Sequence, residues 1–108
     1  MTEKTVTSQI VERAGQCEKK HQQCWISNDK FNEFAKEIGN LSLNEKGELV
    51  FVEKGAEFNL KIEIALEKCH TVNAFARITK ISRTDRYTGI EKNTVFKSPE
   101  DGKEIVIL

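Results

Sequence analysis

The stretch Glu57-Phe-Asn-Leu-Lys-Ile-Glu-Ile-Ala-Leu66, residues 57–66, alternates apolar and polar side chains along its whole length. Its apolar positions are every second residue: Phe58, Leu60, Ile62, Ile64 and Leu66. Because successive side chains of a strand point to opposite faces, this pattern predicts a strand with one buried face and one wet face. Such half-wet strands are typical of antiparallel sheets, since parallel sheets are usually covered on both faces.

More strands are predicted on either side of this one. Residues 49–52, Leu-Val-Phe-Val, form a shorter apolar run between two glycine turns at 45–47 and 53–55, which predicts a meander. Three further strands are predicted at about 72–82, 89–97 and 103–108, with connections at 85–89 and 98–102. The last of them ends in the apolar run 105–108, so we expect it to be inserted into the sheet or covered by a partner.

The N-terminal part of the chain has the period of helices. Apolar and small residues recur mostly at steps of three and four, which predicts one helix capped by Thr7 or Ser8 and continuing as far as Trp25: Ile10, Ala14, Cys17, His21, Cys24 and Trp25. Trp25 is expected to pack where this helix meets a second one. The second helix is predicted from a cap at Ser27 or Asn28, a stripe of Phe31, Phe34, Ala35 and Ile38, and a stop at Gly39.

These elements predict an α+β fold, with two N-terminal helices packed on a five- to six-stranded, mainly antiparallel sheet arranged as a meander. The 108 residues suit a single domain, 1–108, with a helical layer at about 7–39 and the sheet at about 41–108. No apolar run approaches the roughly 18 to 20 residues of a membrane span, and the polar start does not resemble a signal peptide. Three cysteines, an odd number, favour free thiols and a cytoplasmic location.

Cysteines and histidines offer weak candidates for a metal site: Cys17, His21, Cys24, Cys69 and His70. On a continuous helix Cys17 and Cys24 would be about 10.5 Å apart, whereas two sulfurs on one zinc ion lie within about 3.8 Å. Neighbouring residues on a strand, such as Cys69 and His70, point to opposite faces. We therefore expect no metal, no cofactor and no enzymatic activity. A small enzyme or zinc-binding protein using His21 and Cys69 is an open alternative.

The strongest charge asymmetry lies near the end of the chain. The whole sequence has 17 basic and 17 acidic residues, but residues 71–98 contain six basic residues and only two acidic ones. If this segment alternates as a strand, Phe75, Arg77, Thr79, Ile81 and Arg83 share one face. A nucleic-acid surface would use its cations for phosphates and its aromatic rings for bases: Arg77, Lys80, Arg83, Arg86 and Tyr87.

A second interpretation of the basic segment is an ordinary sheet face. Its arginines would then pair across strands with four acidic residues: Glu53, Glu57, Glu63 and Glu67. Overall neutrality favours this interpretation, because nucleic-acid-binding domains are usually basic as a whole.

The leading functional hypothesis is a small, cytosolic, non-enzymatic module that binds another protein or forms a homodimer. It would act through the exposed sheet face or the terminal strand, with interface candidates Ile105, Val106, Ile107, Leu108 and Trp25. Inhibitors, immunity factors and counter-defence factors are examples of this class. A nucleic-acid-binding module that uses the basic segment 77–97 is the alternative; a membrane partner is not expected.

Overall fold

The computed structural model describes residues 5–39, 42–43, 45–69, 72–97 and 105–108. In chain order its elements are α1 (Val6–Lys20), β1 (Gln23–Ser27), α2 (Asn28–Ile38), β2 (Ser42–Leu43), β3 (Leu49–Lys54), β4 (Phe58–Leu66), β5 (Ala74–Asp85), β6 (Glu91–Val95) and β7 (Ile105–Ile107). Two helices pack against a mainly antiparallel sheet, so the predicted α+β class is confirmed.

The strands of the described residues form one sheet in the order β2-β3-β4-β5-β1-β7, with β6 also paired to β5. The consecutive strands β3, β4 and β5 are the predicted meander. Seven strands replace the predicted five or six, because β1 was assigned to a helix and the two-residue β2 was not predicted. All pairs are antiparallel except β1 with β7, which are parallel. The predicted connection 98–102 lies outside the described residues.

The face of the sheet that carries the helices, called the inner face below, holds the main core. Three alternate residues of β4, Leu60, Ile62 and Ile64, are buried on it, as the pattern of residues 57–66 predicts. The ends of that stripe, Phe58 and Leu66, are partly exposed. The helices contribute the opposite half of the core: Ile10, Ala14 and Cys17 from α1, and Phe31 and Phe34 from α2.

Both helix starts are capped by side chains. The predicted cap of α2 is confirmed, since Ser27 Oγ accepts from the Lys30 N–H at 3.3 Å. For α1 the predicted cap at Thr7 or Ser8 is wrong: Thr5 Oγ1 accepts from the Ser8 N–H at 3.0 Å. The Glu37 carboxylate of α2 also accepts from the Thr7 N–H at 3.0 Å and the Val6 N–H at 2.8 Å. These bonds hold the pKa of the Glu37 carboxyl below its ordinary value and tie the two helices together.

The prediction of one helix from Ile10 to Trp25 is wrong beyond Lys20. His21 ends α1 in the left-handed conformation, with φ of 54°, and its exposed position does not face the sheet. Residues Gln23–Ile26 instead form a central strand that pairs with β5 on one side and β7 on the other. Cys24 and Ile26 are buried on the inner face and Trp25 on the outer face. An apolar run buried on both sides suits a central strand.

Strand β5 is interrupted by two bulges. The pairing with β1 skips Phe75, and the pairing with β4 skips Thr79, whose Oγ1 lies 3.1 Å from the Glu63 carbonyl oxygen. Because the extra residue at Thr79 changes the phase of the alternation, Ile78 and Ile81 are both buried in the main core. The predicted common face of Phe75, Arg77, Thr79, Ile81 and Arg83 is therefore wrong: Arg77 lies on the outer face beside Trp25, and Ile81 lies on the inner face.

The same bulge lets β5 bind two strands along one edge. β1 pairs with residues Ala74–Ile78, and β6 pairs with Lys80–Thr84, on the edge opposite β4. The described strands thus leave three edge strands, β2, β6 and β7. The sequences of β6, Glu-Lys-Asn-Thr-Val, and of β7, Ile-Val-Ile, differ strongly in charge.

We expect Ile78→Ala to lower the free energy of unfolding by about 2–4 kcal/mol, because it opens a cavity beside the bulge in a fully buried site. Val52→Ala, on the outer face with a side chain 52% exposed, should cost less than about 1 kcal/mol. Urea unfolding monitored by circular dichroism measures both. Equal losses for the two variants would contradict the assignment of the core to the inner face.

Candidate functional site

The basic segment does not present its cations on one surface. Arg77 lies on the outer face, where its guanidinium pairs with Glu67 and its carbon Cζ is 5.9 Å from the centre of the Trp25 ring. Lys80 Nζ lies 4.0 Å from Glu63 Oε2 on the same face. Arg77 therefore pairs with Glu67 as predicted, although Glu67 directly follows β4, whereas the partner of Glu63 is Lys80 instead of an arginine.

Arg83 lies on the opposite, inner face. Its Nε donates to Glu18 Oε1 of α1 at 2.8 Å, and its Cζ is 5.0 Å from the centre of the Phe58 ring. Thr94 Oγ1 lies 3.1 Å from the second oxygen, Glu18 Oε2. This pairing joins α1 to β5 and β6, and alternation in the sequence did not predict it because Glu18 belongs to the wet face of a helix.

Arg86 and Tyr87 lie at the tip of the β5–β6 hairpin. Arg86 Nη1 donates to the Gly55 carbonyl at 3.0 Å, which braces this tip against the β3–β4 turn. The Asp85 carboxylate accepts from the Thr88 and Tyr87 N–H groups, both at 2.8 Å, and these bonds hold its pKa below the ordinary value. Since the folded pKa is lowered, this stabilisation is present at neutral pH and is lost as the pH falls through that pKa. The tip is ordered, and it leaves Tyr87 83% exposed.

The five candidates for nucleic-acid binding are thus distributed over two faces and a hairpin tip, and three of their cations are paired with carboxylates. We expect a fluorescently labelled single-stranded oligonucleotide to show no salt-sensitive binding in anisotropy titrations. Binding that weakens steeply with salt, and further in an Arg77→Ala Arg83→Ala variant, would contradict this prediction.

The cysteines and histidines are placed differently from the sequence prediction. Because the chain reverses at His21, Cys17 and Cys24 meet in the core instead of lying about 10.5 Å apart. The Cys24 thiol donates to the Arg13 carbonyl at 3.9 Å. The interaction between the two thiols lowers the pKa of Cys17, and the same interaction together with burial raises the pKa of Cys24. Cys69 lies in a separate cluster with Trp25, and His70 lies outside the described residues. Within the described ranges, no three potential ligands converge on a metal position.

Trp25 is not exposed for binding. It is 4% exposed, in a small outer cluster with Cys69, Ala74 and Val72, and the Arg77 guanidinium covers its ring. The prediction that Trp25 packs between the two helices is wrong, because it lies on β1 and faces away from them.

The terminal strand β7 forms as predicted and lies at the edge of the sheet. The Leu108 N–H donates to the Trp25 carbonyl at 2.8 Å, and the Ser27 N–H donates to the Leu108 carbonyl at 3.1 Å. In a parallel pair, every second residue of a strand bonds to the same neighbouring strand. Since Leu108 bonds to β1, the backbone groups of Val106 also point toward β1. The backbone groups of Ile105 and Ile107 therefore point away from it. No described residue bonds to the N–H or C=O of Ile107, whose side chain is 39% exposed.

A groove of about 320 Å³ runs beside this edge, between β7 and α1. Val6, Ile10 and Leu108 give it an apolar lining. Its charged lining residues are Glu12, Arg13 and Lys30. The groove and the outward backbone of Ile107 form one continuous surface, called the β7 edge below.

The edge strand β6 is charged. The Ile90 carbonyl and the Phe96 N–H bond to β5, so the backbone groups of Glu91, Asn93 and Val95 point outward. Its sequence, Glu-Lys-Asn-Thr-Val, begins with two exposed charged residues. Charged side chains on an edge strand oppose the addition of another strand. The sequence of β7, Ile-Val-Ile, contains no charged residue.

Comparison with protein-family models, curated proteins and solved structures found no match for this chain. In the part of the chain that the structure describes, neither helix has the length and apolar character needed to cross a membrane.

Proposed function

We propose that this chain is a small, non-enzymatic protein-binding module that pairs its β7 edge with a strand of another polypeptide. The observation that carries the proposal is that the N–H and C=O of Ile107, on an apolar edge strand, point away from β1 and have no partner among the described residues. In strand addition, such backbone groups supply affinity and the neighbouring side-chain pockets supply specificity.

The contrast between the two edges supports this proposal. Among the described residues, both β6 and β7 have backbone groups that point outward, but only β6 carries charges that discourage pairing. An uncharged edge strand is prone to aggregation, so a specific occupant of the β7 edge gives this strand a function.

The groove supports binding of a specific strand rather than non-specific hydrophobic association. Its apolar lining can receive a side chain of the added strand, while Arg13 and Lys30 can contact an acidic group next to it. Inhibitors, immunity factors and counter-defence factors act by such association, and we place the chain in this broad class. A cytoplasmic location fits the three buried cysteines, which are all free.

Nucleic-acid binding through segment 77–97 is the second hypothesis, and the ion pairs of Arg77, Lys80 and Arg83 disfavour it. Each of these cations would have to leave a carboxylate before it could bind a phosphate.

Ile107→Pro tests the proposal, because it deletes an outward N–H while the hydrogen bonds of Leu108 to β1 remain. Linear peptides selected from a random library on the wild-type protein should bind this variant about tenfold more weakly, as expected for one lost hydrogen bond. Fluorescence anisotropy with labelled peptides measures the difference.

Asn93→Pro is the matched control, since it deletes an outward N–H from the charged β6 edge. Its peptide affinity should equal that of the wild type, and circular dichroism should show both variants folded. Failure of the library to yield any binder, or equal losses in the two variants, would contradict the proposal.

A further inference from the structure

We propose that the strand that pairs with β7 is β7 of a second copy of this chain, in an antiparallel arrangement about a two-fold axis. This inference rests on the proposed function and names its partner. The resulting dimer would have one sheet continuous across both copies, with the two β7 strands at its centre.

The backbone of β7 is self-complementary in one register. With the two-fold axis at Val106, Ile107 of each copy lies opposite Ile105 of the other. Residues 105 and 107 are the ones whose N–H and C=O point away from β1. Opposite residues of an antiparallel pair can exchange both of their hydrogen bonds. Every outward backbone group of this three-residue strand thereby gains a partner.

The side chains of the edge also suit a second copy. Ile107 shares the outer face with its neighbour Trp25 and is 39% exposed. Pairing would cover this side chain with apolar residues of the second copy without burying a charge from β7. The same pairing at the β6 edge would bring Glu91 and Lys92 into the interface.

The charges of the groove allow self-association. A two-fold interface places the same surface against itself, so a surface of one sign would repel its copy. The groove beside β7 is lined by both an acidic residue, Glu12, and basic residues, Arg13 and Lys30. Because the groove has charges of both signs, it does not repel its copy through an excess of one sign.

Sedimentation equilibrium of the wild-type protein tests this inference. We expect a mass twice that of the 12.3 kDa chain at micromolar concentration, dissociating on dilution. Ile107→Pro should weaken the dimer at least about tenfold, because one hydrogen bond is lost from each of the two copies. Ile107→Lys places a charge on the β7 edge, so this variant should sediment with the mass of a single chain.

The matched controls are Asn93→Pro and Val95→Lys on the β6 edge, where Val95 is 64% exposed. Both should remain dimers. A wild-type protein that is monomeric throughout the concentration range overturns the inference, as does a dimer that only the β6 variants dissociate. If the protein is monomeric but selected peptides bind in an Ile107-dependent manner, the dimer fails and the proposed function stands. If neither association depends on Ile107, both fail.

Discussion

The bulge at Thr79 is the constraint on which the rest of the structure depends. With its extra residue, β5 keeps Ile78 and Ile81 in the same core and binds β1 and β6 one after the other along one edge. A regular strand would have turned one of these isoleucines to the outer face. Because β1 occupies the first half of that edge, it can in turn carry β7, which has no other strand beside it in the described part of the chain.

The bulge also determines on which face of the sheet each arginine of β5 lies. It separates Arg77, which covers Trp25 on the outer face, from Arg83, which binds Glu18 under α1. These cations therefore join elements of the fold to one another. The apolar β7 edge has the opposite character, since the backbone of Ile107 has donor and acceptor groups without partners among the described residues. The proposed association with another strand rests on this difference.

Sequence patterns predicted the elements whose polar and apolar residues follow one uninterrupted period. The alternation of residues 57–66 predicted β4, and the stripe and caps at 27–39 predicted α2. The end of α1 could not be predicted, because Cys24 and Trp25 fit the helical spacing and only pairing with β5 and β7 makes them a strand. The meeting of Cys17 with Cys24 follows from that reversal. The bulge at Thr79 shifts the buried positions from Ile78 to Ile81, and strict alternation over residues 75–83 does not allow for such a shift, so the two faces of β5 were assigned wrongly.

Amide hydrogen exchange at β7, followed residue by residue by NMR, tests the central claim most directly. The Leu108 amide is bonded to Trp25 within the chain and should be protected at every protein concentration. The Ile107 amide should exchange freely in dilute protein and become protected as the concentration rises or when a selected peptide is added. An Ile107 amide that exchanges at the unprotected rate under all of these conditions would contradict the account.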